Sequence, residues 1–232
     1  MRILECEIEL HDFVYFATRE IGRLYETEAL IHNYALCYAL GLVVSPYFTR
    51  QQVPQYQEDL SHLNRLGIYV TPAVSIRHSF SLHTWKYAIN WYHVDMEKLK
   101  RELWAKNVPG FGRAKELAPE SYFRFFIFDQ TDRYNPPYWI RLGKWLAKAR
   151  LSWQECQVRV QRQGSFMVAH PLNPLDVLWV SRLKLCDYIN MPPVSLINNA
   201  HLEGDYLVVE CQGRSFFFPA GMQFNFTGDR RV

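Results

Sequence analysis

Residues 139–151 read WIRLGKWLAKARL, and how they fold decides what kind of protein surrounds them. Arg141, Lys144, Lys148 and Arg150 follow one another with no acid between them. As a helix, Leu142, Trp145, Leu146 and Ala149 form one face and Arg141, Lys144 and Lys148 the other; Gly143 in the interior then costs about 1 kcal/mol against Ala. As a hairpin turning at Gly143-Lys144, Trp145, Ala147, Ala149 and Leu151 face the core, while Leu146, Lys148 and Arg150 face outward. The local pattern leans slightly to the helix and the strand-rich surroundings to the hairpin. Periodicity does not separate them.

The stretch sits in a basic block. Residues 133–163 hold seven Lys and Arg against the single Glu155, whereas residues 1–30 hold three Arg against seven acids. Net charge over all 232 residues is only +3, so composition alone does not imply nucleic acid; the uneven distribution is the electrostatic signal, with a solvated face as its plain alternative. Apolar residues at 49% suffice for a sizeable core in one large domain or a core with an elaborated lobe. The 36 aromatic residues (15 Phe, 14 Tyr, 7 Trp) are abundant; such rings mostly fill cores, and a surplus also serves stacking surfaces and interfaces.

Five scattered cysteines without a CxxC pair fit a reduced, cytosolic protein with buried thiols rather than a disulfide framework or a zinc site. No apolar run reaches spanning length and the acidic start is no signal peptide, so a cytoplasmic protein without a membrane is expected.

Outward from the basic block, RILECEIELHD alternates as a half-buried strand, with Cys6, Ile8 and Leu10 on one face and Glu5, Glu7, Glu9 and His11 on the other. ATREIGRLYETE reads as a polar loop, with Thr27 capping a helix that carries Leu30, Ile31, Tyr34, Cys37 and Tyr38 and stops at Gly41. A short strand at 42–48 precedes a second helix opened by Pro54 and closed by Gly67, with Tyr56, Leu60, Leu63 and Leu66 inward. Strands follow at 68–76 and 84–94, separated by a turn containing Arg77, His78 and His83. A short helix is expected at 95–105, and NVPGFGRAKE (107–116) reads as a basic glycine loop that is no dinucleotide fingerprint. Further strands fall at 124–128, 155–161, 165–170, 206–210 and 214–218, with HPLNPLD (170–176) and NMPPVS (190–195) as proline loops. The order strand–helix–strand–helix–strand–strand is close to a ferredoxin-like α+β sandwich.

The segments FATREIGRLYETE…IHNYAL.YALGL (16–42), IRLGKW..KARL (140–151), HPLNPLD (170–176) and MPPVSLI.NA…G (191–204) together resemble one family. It is the crRNA 5′-handle-capping subunit of the type I-D CRISPR surveillance complex (Cascade), of the RAMP superfamily. The resemblance implies an α+β fold: a ferredoxin-like (RRM-type) core, here 1–130, with an added β-rich lobe, here 131–232, and a protruding thumb or hairpin. It implies that such a protein holds the 5′ handle of a guide RNA, caps the filament of backbone subunits, and touches the large subunit near where target-adjacent double-stranded DNA is recognised. The hairpin form of 139–151 is the one consistent with it.

RNA capture needs cations for phosphates and flat surfaces for splayed bases. Arg141, Lys144, Lys148 and Arg150 supply the first, with a solvated rim as the alternative. Arg19, Arg23 and Tyr25 offer phosphate contacts and stacking, unless the Arg residues pair with Glu20, Glu26 and Glu28. Asn33 lies near the positive end of the first helix, and His170 opens HPLNPLD; each is equally readable as structural. Arg113 and Lys115 flank the Gly-Phe-Gly loop as a possible contact to DNA or a neighbouring subunit. No cofactor, metal or catalytic residue is expected. An alternative class, metal-independent RNA endonuclease, would draw on His78, His83, His93, Tyr25 and Lys148 by residue type, although no spacing brings a pair together. A third class is an interaction module without nucleic acid.

Overall fold

The structure is a computed structural model that describes residues 1–43, 54–87 and 110–226. Its elements are β1 (Arg2–Leu10), β2 (Arg19–Ile21), β3 (Leu24–Glu26), β4 (Leu30–Ile31), α1 (Asn33–Ala39), α2 (Tyr56–Leu66), β5 (Ile68–Val70), β6 (Ala73–Arg77), β7 (Phe80–Tyr87), β8 (Gly110–Leu117), β9 (Tyr122–Asp129), β10 (Trp139–Leu142), β11 (Ala147–Val168), α3 (Pro174–Val177), β12 (Ser181–Ile189), β13 (Leu196–Cys211) and β14 (Arg214–Pro219). The fold is mixed α/β and mostly strands.

The main sheet runs β12-β13-β11-β1-β9-β6-β4, with β10 beside β11, β14 beside β13 and β5 beside β9. β1 is central. It pairs antiparallel with β9 from Arg2↔Asp129 to Glu9↔Tyr122, and with β11 from Ile3↔Cys156 to Leu10↔Ala149. The alternating strand expected at the start is present, but its position inside a sheet also buries the first part of its second face, leaving Glu7 exposed and Glu9 half-buried. Leu4, Cys6 and Ile8 line up with Ile127, Phe125 and Phe123, while Ile3 faces Phe128 and even Glu5 is buried. Glu5 tolerates this because Arg214 (2.7 Å) and Gln154 (2.6 Å) donate to its carboxylate and Arg124 lies 3.6 Å away.

β11 is one 22-residue strand where two were expected. Its first half lies between β1 and β10 and its second half pairs with β13, so one strand carries the chain from the central sheet into the C-terminal part. The main cluster of buried residues among those described draws on the chain from Ile3 to Phe226, with two small satellite clusters around Tyr15–Ala17–Ala114 and Leu30–Met191–Leu196.

A second sheet, β2-β3-β8-β7, is built largely from segments read as loops or turns, with only the end of β7 expected as strand. ATREIGRLYETE forms the β2–β3 hairpin about Gly22, and most of 107–116 belongs to β8, which pairs in parallel with β3. Leu30 and Ile31 form β4 rather than the start of a helix. The side chain that caps α1 is His32, whose Nδ1 accepts from the Tyr34 amide (3.2 Å); Thr27 Oγ1 instead accepts from the Phe16 amide (3.1 Å). α2 ends at Gly67 as expected. The 68–76 strand is split at Thr71-Pro72, the next strand begins at Phe80 with His83 inside it, and β12 was not anticipated. Most of the strand expected at 42–48, the end of that at 84–94 and the helix at 95–105 lie outside the described residues.

Cys6 and Cys37 are buried as expected, Cys186 is half-buried, and Cys156 and Cys211 are buried cross-strand neighbours that face each other between β11 and β13 (Cα–Cα 4.8 Å). Among the described residues no helix is long and apolar enough to cross a membrane.

Candidate nucleic-acid interface

The stretch 139–151 is a hairpin. Its strands alternate strictly: Ile140, Leu142, Ala147, Ala149 and Leu151 are buried, and Trp139, Arg141, Lys148 and Arg150 are exposed. Period two therefore prevails over the marginal helical pattern, because the small and branched residues inward are the ones β1 and the core accept. The turn spans Gly143–Leu146. Gly143 has φ +72°, and a Cβ there would stand 2.6 Å from the Tyr15 carbonyl oxygen. The Lys144 amide donates to that same oxygen (2.8 Å), and Arg141 closes the turn by donating to the Leu146 carbonyl (3.2 Å).

Trp145 departs from expectation: it sits in the turn, 55% exposed, instead of facing the core. It stacks on Tyr15 (4.6 Å) and meets Trp85 edge-on (6.3 Å), which in turn stacks with Tyr25 (6.2 Å). A ladder of rings thus joins the hairpin tip to the small sheet. Trp139, 48% exposed, has Lys148 Nζ 4.0 Å from its ring centre and His11 edge-on at 5.1 Å. Sequence reasoning missed both tryptophans as surface groups; their place beside the Gly-Lys step and the cations was the available signal.

Register places Arg141 directly opposite Lys148, and Arg150 opposite Trp139 on one side and Glu9 on the other. Like charges facing each other across a ladder destabilise it by a few tenths of a kcal/mol to about 1 kcal/mol. Arg141, Lys144 and Lys148 border a groove of about 820 Å³ whose far wall is α1 and the Met191–Pro193 segment. Among the described residues no carboxylate lines this groove. The histidine among its described residues, His32, is buried with both ring nitrogens engaged, by the Val194 carbonyl (3.1 Å) and the Tyr34 amide, and burial pulls its pKa down to about 4. It is neutral and unavailable for proton transfer.

The other expected residues are distributed elsewhere. Arg19 is ion-paired with Glu26 (3.3 Å) and Glu28, the alternative its neighbours offered. Lys115 reaches Glu26 (3.7 Å) and lies over the Phe80 ring. Arg23 is exposed at the β2–β3 turn and its carbonyl accepts from the Arg113 amide (2.9 Å), while Tyr25 is half-buried in the ring ladder. Asn33 is fully buried and donates to Asp176 (2.8 Å). His170 is buried too, its Nε2 bonded to the Pro72 carbonyl (2.8 Å) and Thr71 Oγ1 (2.9 Å). Of the residues named for acid–base work, His78 bonds Ser75 (2.7 Å), His83 bridges Ser81 and Glu116, and neither lines the groove with Lys148; His93 lies outside the described residues.

Comparison with known families places the chain among CRISPR-associated proteins. It belongs to the family described as type I-D CRISPR-associated protein Cas5/Csc1, whose model matches residues 1–227. Among solved structures it is similar to a CRISPR protein from Archaeoglobus fulgidus (TM-score 0.49, 10% identity, covering 95% of this chain and 100% of that one). It is also similar to a chain of the type III-B Cmr-beta complex bound to cognate target RNA and AMPPnP (TM-score 0.41, 11% identity, 88% and 86% covered). No curated protein matches in sequence.

Proposed function

We propose that this chain is the non-catalytic, cytoplasmic subunit that holds the 5′ handle of the crRNA in a type I-D complex, capping the backbone filament and meeting the large subunit beside target-adjacent DNA. The observation that carries this reading is the facing pair Arg141 and Lys148, unopposed by acid and flanked by Lys144, Arg150, Trp139 and Trp145. Such a pair repels itself in the free hairpin and is relieved by phosphates lying across it, while the exposed indoles offer faces to splayed bases.

The sheet order β11-β1-β9-β6, antiparallel at each step, is the order of a ferredoxin-like core, and its presence supports that reading of the fold. The remaining C-terminal strands are then an extension grown from β11, and the β2-β3-β8-β7 sheet is the thumb. Arg113 and Lys115, expected to meet a neighbouring subunit or DNA, lie on that sheet and outside the groove, as does Arg23, and this supports assigning all three to such a contact. His32, the histidine among the described groove residues, is buried and neutral, which favours holding RNA over cutting it.

The experiment is incubation of the purified chain with labelled repeat RNA in chelator. The expected result is a retarded, intact RNA; site-specific cleavage without metal contradicts the non-catalytic assignment.

A further inference from the structure

We propose that a second cavity, which shares no residue with the groove, is a site for one unstacked nucleotide of a nucleic acid strand. The cavity holds about 520 Å³, within the range of small-ligand sites. Its walls are the rings of Phe166 on β11, Tyr206 on β13, and Phe216 and Phe217 on β14. Phe166 and Tyr206 stack at 4.5 Å, and Phe217, 38% exposed, meets Tyr206 edge-on at 6.1 Å.

The charged lining is Arg124 from β9 and Arg162 from β11, with no carboxylate among the lining side chains. The Arg124 guanidinium lies over Phe216 (5.1 Å), an arrangement that leaves its in-plane N–H groups to bond elsewhere. Its Nε is buried and has no hydrogen-bond partner. Its nearest carboxylate, Glu5, is 3.6 Å away and already accepts from Arg214 and Gln154. A buried donor of this kind matches an acceptor brought by a ligand.

His170, expected from the sequence as an RNA contact, belongs to this lining and presents a ring packed edge-on to Phe126 (5.1 Å) and Phe218 (5.8 Å). Burial draws its pKa down to about 3, so it contributes an uncharged surface.

The combination selects the ligand. A purely apolar molecule would leave Arg162 and the Arg124 Nε unanswered, and an acidic peptide would use the cations without the flat walls. A nucleotide uses both, its base against rings and its phosphate or base edge against arginine. This deepens the proposed function, resting on its reading of nucleic acid as the ligand class.

The test uses the full chain with a fluorescent single-stranded RNA and its DNA counterpart, both carrying a photoreactive thio-base. Arg162→Glu and Phe217→Ala alter exposed positions. Each is expected to weaken one of the two strands roughly tenfold and to abolish cross-links to 200–217, while cross-links to 139–150 persist. The strand that weakens identifies the source of the nucleotide. If both variants bind and cross-link like the parent while Lys148→Glu weakens RNA binding, the cavity proposal is overturned and the groove reading stands. If Lys148→Glu has no effect and the two cavity variants do, the cavity stands and the groove reading falls. If none of the three has an effect, both fall.

Discussion

Reversing Lys144, Lys148 and Arg150 to glutamate is expected to weaken binding of the crRNA handle on the order of 100-fold at low salt and to leave the fold intact. Each of the three is exposed and none forms an ion pair among the described residues, so its removal strands no buried partner. Lys148 gives up only its contact with the Trp139 face, about 0.5–1 kcal/mol at an exposed site. Arg141 is left out of the set because its bond to the Leu146 carbonyl closes the turn. On single strands each lost phosphate contact removes about 0.7 from the slope of log affinity against log salt, so three contacts remove about two units. Titrating labelled handle RNA at several salt concentrations reads both quantities. Unchanged affinity and slope would reduce the row to a solvated face.

The second large effect concerns Asp176, the last residue of HPLNPLD. Its carboxylate is fully buried and accepts from Asn33 Nδ2 on α1 (2.8 Å), the Tyr69 hydroxyl on β5 (3.1 Å) and the Asn225 amide near the C-terminal end (3.1 Å). One side chain thus ties three distant segments. Asp176→Ala strands all three donors at roughly 1–3 kcal/mol each, offset in part because a buried carboxyl is removed. The expected net loss is about 3 kcal/mol, or about 6–12 °C in melting temperature for a domain of this size.

The same carboxyl carries a pH signature. Burial pushes its pKa from 3.8 up to about 7 against the pull of its three donors. The folded state therefore holds the proton more tightly than the unfolded chain. Its contribution to stability is greatest below about pH 4, declines as pH rises from there to about 7, and is flat above, with an upper limit of about 4 kcal/mol. Asp176→Asn cannot titrate, so the difference in stability between parent and variant should shift along that window. Chemical denaturation at a series of pH values measures it, and a difference independent of pH would contradict the assignment.

Legibility in the sequence followed burial. The central strands β1 and β9 and the helix α2 were readable because their apolar residues repeat with the period of the element that a packed core imposes. The β2–β3 hairpin and β8 were not. They belong to a small sheet in which Arg19, Glu20 and Ile21 are all exposed, so no core demanded alternation and charge made them look like loops. For 139–151 two periods competed over a few residues, and only pairing of β11 with β1 on one side and β10 on the other decides between them.

The candidate site was legible as a set of cations, yet only partly as a place. Arg141, Lys144 and Lys148 share the groove and Arg150 continues their row, whereas Asn33 and His170 do not line it and are buried and bonded within the fold. Their partners lie 143 and 98 positions away along the chain, at Asp176 and Pro72, and no local pattern announces a polar side chain whose bonds are made at such distance. Trp145 erred the other way. Alternation assigned it inward, but the turn extends to Leu146 and frees it to stack on Tyr15.

The most direct measurement places photoreactive thiouridine at each position of the crRNA 5′ handle in the assembled complex and maps the cross-linked peptides of this chain. Cross-links concentrated in 139–150, with Trp139 or Trp145 among the modified residues, are the predicted result. Handle cross-links that fall on other segments of this chain, or on other subunits alone, would contradict the account.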